Sequence, residues 1–318
     1  MSSAPTLLAH VDWSMHPKKR WMAVAQLEGD TYMLSAPEPV GETASLLSRL
    51  RSRALGEQFV VGFDFPIGVP IVYAERTGIT SFLAELPRFG TGRWAKFYEP
   101  AQSACDISPW RPFYPYRAFR GASHQQLFDG LGVQSMHELL RVCDRGGDRG
   151  NACSLFWTLG ANQVGKGAIS GWREVLVPAL AQSTMRVAIW PFHGDLYALL
   201  QISECVLLET YPAEACLHIG LGHPGVGWSK VRQSDRQRKG ERLLGWAVDR
   251  PRVSVLAELE SDIRNGFSPD ANGEDRFDAV VGLMSMLEVI LGHRTDGVAG
   301  SPAHLHVEGW ILGQHSEE

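Results

Sequence analysis

The order of strand-like and helix-like runs over the first 70 residues restricts the fold of this chain more than any other feature. "LLAHVDWS" (7–14) is a short apolar run ending in a polar turn, the pattern of a buried strand. "RWMAVAQLEG" (20–29) and "TYMLSAP" (31–37) follow, with Gly29-Asp30 between them. A Gly-Asp pair between two strand-like runs marks a hairpin. "ETASLLSRLRSRAL" (42–55) carries Leu46, Leu47, Leu50 and Leu55 at roughly helical spacing. "FVVGFDFPIGVP" (59–70) is a further strand, apolar enough for burial on both faces. Strand, strand, strand, helix, strand predicts an α/β protein.

Farther along, 86–125 reads as irregular, rich in Pro, Gly, Arg and aromatic residues. A long insertion of that kind is more often functional, or a lid, than a plain connection. Residues 134–143 and 171–182 read as helices, and "MRVAIWPF" (185–192) and "CVLLETYP" (205–212) as strands. From 213 to 292 the pattern is mostly helical, including all of "VSVLAELESDIRNG", and the tail "HLHVEGWIL" suggests a last strand. With 318 residues, 44% hydrophobic and 20% charged, the chain has ordinary globular composition. The expectation is one domain over 1–318 with an insertion at about 86–200.

Several classes are set aside on residue pattern. No run of about 18 apolar residues suggests a spanning helix, and the first residues lack a basic and apolar leader. The five cysteines have no CxxC spacing, so free thiols in a reducing cytoplasm are expected. His304 and His306 form HxH, and His10, His16, His218 and His223 are scattered. Without HExxH or paired CxxC, these do not make a zinc site. Ser14, Ser154 and Ser229 lack a GxSxG elbow. "GLGHPG" (220–225) lacks the preceding strand that a dinucleotide fingerprint needs. "GANQVGKG" (160–167) has phosphate-loop spacing, but Gly167 stands where Ser or Thr would hold a metal. Gln163 and Lys166 remain candidates to face an anionic ligand.

Four carboxylates sit in comparable settings. Asp12 ends the first strand, Asp64 ends the strand after the helix, and Glu209 ends "CVLLE". Asp278 opens the apolar part of "DRFDAVVGLM", with Asp275 one turn earlier on nearly the same face. Any one of them alone reads as a cap, a turn former or a surface charge. Together they point elsewhere, because ligand sites in open α/β sheets collect at the carboxyl ends of strands. Converging carboxylates repel and need a cation, and clustered oxygen donors suit Mg²⁺ or Mn²⁺. The net charge of −5 argues against a constitutive basic nucleic-acid coat. It does not exclude a nucleic-acid enzyme, since local basic patches and bound ions offset acidic sites.

"HVDWS", "VGFDFPIGVP", "LLETYPAEA", "SKVRQSDRQRKGERL", "DRFDAVVGLMSML" and "VEGWIL" occur in this order from about 7 to 313. The series resembles the domain of unknown function numbered 429, a family described as predicted ribonuclease H-like nucleases. "DFPIGVP" and "ETYP" are the most specific of these short motifs. The resemblance implies a ribonuclease H-like mixed sheet, its first three strands antiparallel and helices on both faces. It implies an acidic site at Asp12, Asp64, Glu209 and Asp278, and a metal-dependent phosphodiester hydrolase acting on nucleic acid or nucleotide. The 86–200 insertion lies outside the minimal fold.

Two basic segments have double readings. "SKVRQSDRQRKGERLLGW" (229–246) is either a solvated helix face or a phosphate-contacting helix, with Lys230, Arg236 and Arg242 matching the family pattern best. "WRPFYPYRAFR" (110–120) interleaves aromatics and arginines, which either stack bases or pack an irregular loop. Glu308 is an outlying candidate or an edge-strand charge. Two rival functions share the core sheet. An actin- or sugar-kinase-like ATPase or phosphotransferase would bring Gly-rich phosphate turns, and "DWSMHPKK" has no glycine. A non-catalytic binding protein would use the insertion to recognise a partner.

Overall fold

The hairpin expected at Gly29-Asp30 is formed, with 25–28 paired antiparallel to 31–34. The computed structural model describes residues 4–118, 121–146, 150–159, 164–298 and 302–315. Its strands are β1 (Leu7–Asp12), β2 (Trp21–Glu28), β3 (Thr31–Leu34), β4 (Glu38–Pro39), β5 (Phe59–Phe63), β6 (Val187–Ile189), β7 (Cys205–Glu209) and β8 (Val253–Val255). The helices up to residue 181 are α1 (Leu46–Arg53), α2 (Ile71–Thr77), α3 (Phe82–Glu85), α4 (His124–Leu131), α5 (Val164–Gly171) and α6 (Val177–Ala181). Beyond it come α7 (Leu196–Ile202), α8 (Pro212–His218), α9 (Gln233–Val248), α10 (Ala257–Arg264), α11 (Gly273–Ile290) and α12 (Pro302–Glu308).

The chain divides into two compact units. The first comprises 1–64, 182–297 and 311–314, and the second 65–181, 298–310 and 315–318. The second unit thus begins at Phe65 rather than 86, ends at 181, and takes in the C-terminal segment 298–310.

The first unit holds a mixed eight-stranded sheet in the order β6-β7-β5-β1-β2-β3-β8, with β4 on β2. β1, β2 and β3 are antiparallel neighbours, while β5, β7 and β6 continue the sheet in parallel from β1. α11 is apolar nearly all round and is buried from Phe277 to Val289, as a core helix must be. It packs on β1 and β2. Two glycines permit this approach. A Cβ at Gly282 of α11 would lie 2.2 Å from the His10 ring, and one at Gly62 of β5 would lie 2.6 Å from Met286 Sδ. Both neighbours are interior groups with little room to move. Gly282→Ala is therefore expected to destabilise the protein by about 1–3 kcal/mol, read as a lower urea midpoint at unchanged slope.

Three sequence expectations change. "VSVLAELESDIRNG" opens with a strand, because Val253 and Val255 are β-branched and pair in parallel with β3 before α10 begins. "HLHVEGWIL" is α12 followed by a single bridge from Ile311 to Glu209, not a strand. Residues 134–143 hold 3-10 turns at Met136–Leu139 and Val142–Asp144 in place of one helix. The 171–182 helix is present and continues α5 through a π turn at Trp172–Leu176 into α6. Among the described residues, no helix is long and apolar enough to cross a membrane.

The second unit is organised by aromatic packing. Phe89 stacks on Phe97 at 3.8 Å between centroids, and Trp172 meets Phe82 edge-on at 4.9 Å. Glu308 is fixed here too. Its Oε1 accepts the Ile71 N–H at 2.7 Å and its Oε2 the Val142 N–H at 2.8 Å. Buried Arg141 donates to the Glu308 carbonyl at 3.1 Å and to Asp144 Oδ1 at 2.8 Å. Glu308 thus joins α12 to the start of α2 and to the 142 turn.

Candidate functional site

In the parallel pair β1–β5, Val11 lies beside Phe63, so the next residues, Asp12 and Asp64, emerge side by side from adjacent strand ends. The Trp13 N–H donates to Asp64 Oδ1 at 2.6 Å and fixes that carboxylate. α11 brings the third group. His10 lies two residues before Asp12 and so on the same sheet face. Its Nδ1 is 3.0 Å from the Ala279 carbonyl and its Nε2 is 2.7 Å from the Thr210 hydroxyl. A carbonyl can only accept, so Nδ1 carries the proton and Nε2 accepts from Thr210. Burial pushes the His10 pKa down to about 4, which keeps the ring neutral. This bond holds Ala279 over β1, and with it the adjacent Asp278.

The result is a cluster of carboxylates with too little positive charge. Burial first, and then the charges of Asp64, Asp278 and Asp275, raise the Asp12 pKa well above the carboxylate range. Asp64 is pushed up to about 7, chiefly by burial and then by Asp278; its bonds to the Trp13 N–H and to the Asp12 carboxyl act in the other direction. Burial also raises Asp275, to about 6. Asp278 is raised by burial despite its partner Lys230. Two buried oxygens here, Asp278 Oδ1 and Asp275 Oδ2, accept no hydrogen bond. Buried carboxylate oxygens are seldom left so.

The Lys230 ammonium is bonded to Asp278 Oδ2 and lies 3.5 Å from Glu274. Burial works against its charge, and Asp278, Glu274 and Asp12 outweigh that and hold its pKa above the ordinary lysine value. Glu274 is absent from the sequence reading, although its spacing of four from Asp278 places both on one helical face. Arg236, expected to touch phosphate, is buried. Its guanidinium donates to the carbonyls of Lys230 at 2.5 Å, Val231 at 3.0 Å, Gly266 at 2.8 Å and Ser268 at 2.8 Å. It clamps the segment that carries Lys230. Arg236→Lys cannot satisfy four carbonyls in that fork. It is expected to cost about 2–4 kcal/mol, measured by urea unfolding.

Other expected residues fall elsewhere. Glu209 is in register with Phe63 of β5. Its row also contains Val11, while Thr210 lies in the row of Asp12 and Asp64. Side chains alternate across a sheet, so Glu209 is set on the face opposite the Asp12–Asp64 pair. The ring of three strand ends therefore loses that corner, while Asp275 of α11, a candidate from the start, acts on Asp12 beside Asp64 and Asp278. Arg242 is exposed on α9. Lys166 lies half-buried in α5 of the second unit, while Gly160 and Gln163 lie outside the described residues. In "WRPFYPYRAFR", Phe113 and Tyr114 are core, and Arg111 donates to the Glu99 carbonyl at 2.9 Å. Those contacts are loop packing; residues 119–120 lie outside the described set.

The donor chemistry of Asp12, Asp64, Asp275 and Asp278 fits a hard divalent cation, and two of their oxygens lack partners. Among the described residues, no group of three or more His, Cys, Asp or Glu side chains is set to hold a metal ion. The Lys230 ammonium is bonded to Asp278 of this group, and Lys19 and Arg236 act on Asp275 and Asp278. No family model, curated protein or solved structure matches the chain.

Proposed function

We propose that the protein is a divalent-cation-dependent phosphodiester hydrolase, a nuclease of ribonuclease H-like type, acting on nucleic acid or nucleotide. The observation that carries this reading is the convergence of Asp12, Asp64, Asp275 and Asp278, mutually repelling and largely buried, with two carboxylate oxygens unpaired. The sheet supports it as well, with three antiparallel strands followed by parallel strands from β1 outward. Asp12, Asp64 and Asp278 would hold Mg²⁺ or Mn²⁺, with Asp275 beside them. Bound there, the ion would supply an activated water and charge for the leaving oxygen. The chain's own part is to orient the carboxylates. The Trp13 N–H fixes Asp64, and the His10–Ala279 bond fixes α11. Lys230 brings positive charge for a phosphate.

The test is incubation of the purified protein with end-labelled RNA, DNA and RNA–DNA hybrid in Mn²⁺. Cleavage of at least one substrate that EDTA abolishes is expected. If none is cut, or if Asp12→Asn cuts as well as the wild type, the proposal fails.

A further inference from the structure

The Lys230 ammonium sits among the same carboxylates that would hold the cation. It is bonded to Asp278, lies 3.5 Å from Glu274, and its charge reaches Asp12. Its side chain is only 26% exposed. The backbone beneath it is held in place. Arg236 grips the carbonyls of Lys230 and Val231, and the Ser229 N–H donates to Asp235 Oδ2 at 2.8 Å. The lysine is thus delivered to the carboxylates by a built segment rather than draped over them.

On this basis we infer that Lys230 is a resident counter-ion, which holds the acidic cluster together without metal and gives up its place on Asp278 when a divalent cation binds. The inference rests on the cation-site reading above. Lys230 is bonded to the cluster while Lys19 and Arg236 act on Asp275 and Asp278 without a bond to them, and Asp278 Oδ1 remains buried and unpaired beside the ammonium, so the lysine balances the site only in part. A divalent ion brings twice the charge and takes several oxygen ligands. Once displaced, the ammonium is a donor for an anionic substrate, so cation binding and phosphate recruitment become coupled. Lys230 is in this sense a positioning and charge-balancing residue.

The experiment compares the full-length wild type with Lys230→Met and Lys230→Arg. Mn²⁺ binding is followed by calorimetry, and melting is followed in EDTA. Lys230→Met removes the competing charge and is expected to bind Mn²⁺ about tenfold more tightly, the effect of one modest charge interaction. It should also melt lower than the wild type in EDTA and recover in saturating Mn²⁺. Lys230→Arg should restore wild-type affinity. Equal or weaker Mn²⁺ binding by Lys230→Met, with the wild type binding normally, overturns this inference alone. No Mn²⁺ binding to any of the three overturns the cation-site reading and this inference with it. Should Lys230→Met not fold even in Mn²⁺, Lys230→Gln carries the same comparison with a polar, uncharged side chain.

Discussion

Asp64→Asn is expected to lower Mn²⁺-dependent cleavage by at least about 100-fold while raising the melting temperature of the metal-free protein. Residues that merely support a metal ligand cost 10–100-fold when removed, and Asp64 is proposed as a ligand itself. The amide is nearly isosteric, and its oxygen can still accept the Trp13 N–H that now meets Asp64 Oδ1 at 2.6 Å. What the amide removes is charge. A carboxyl group held near pKa 7 by burial and by Asp278, against an ordinary value near 4, destabilises the folded protein above neutrality. The scale is about 3–4 kcal/mol, enough to move the melting temperature by several degrees.

The opposite signs are the informative part. A carboxylate that caps a turn or pairs with a cation loses stability when neutralised. A carboxylate retained in a repelling cluster for chemistry gains stability and loses function, the usual exchange at active sites. Asp278→Asn should not share the stability gain, because it deprives Lys230 of its bonded partner. A cleavage rate within threefold of wild type for Asp64→Asn would remove Asp64 from the chemistry. A fall in melting temperature would mean that the cluster is structural.

Sequence periodicity identified the parts of the fold whose residues decide locally. The hairpin was legible in Gly29-Asp30, and the buried strands in "LLAHVD" and "FVVGF". β8 was not legible, since Val253–Val255 is a strand only because β3 offers it a parallel partner. The tail failed for a similar reason. "HLHVE" becomes helix where Glu308 can receive the N–H groups of Ile71 and Val142, a contact across more than 160 residues of chain. At the site, Asp12, Asp64, Asp275 and Asp278 were legible as strand-end and helix-start carboxylates. Glu209 misled because a strand-end position does not say which face a side chain takes. That depends on register with β5. Arg236 looked like a phosphate ligand because arginine on a polar helix often is. Two of its four carbonyl acceptors, Gly266 and Ser268, lie 30 and 32 residues away and join it to the nearby carbonyls of Lys230 and Val231 only in the fold.

In EDTA, the wild type is expected to lose stability as pH rises above about 6.5. Asp64 has a folded pKa near 7 and Asp275 one near 6, and Asp12 lies well above the carboxylate range. Between the ordinary carboxylate pKa and these raised values, these carboxyls bind more protons in the folded protein than in the unfolded chain. Their contribution falls with pH through that window, while His10, His193 and His218, lowered by burial, contribute in the opposite sense up to the ordinary histidine value of about 6.5, so the net decline is expressed above it. Carboxylates with depressed values, such as Asp235 beside Ser229 and Arg232, contribute stability that is complete once pH exceeds the unfolded pKa of about 4. They do not offset the decline. A divalent cation binds the ionised cluster only, so saturating Mn²⁺ should flatten the profile. The melting shift produced by Mn²⁺ should accordingly be small at pH 5 and reach several degrees at pH 8. Asp64→Asn should show a shallower EDTA profile and a weaker Mn²⁺ shift at every pH. Thermal melts at pH 5, 6, 7 and 8, with EDTA and with Mn²⁺, decide the matter. A Mn²⁺ shift that is equal at pH 5 and pH 8, or larger at pH 5, would mean that the ion binds somewhere other than these carboxylates.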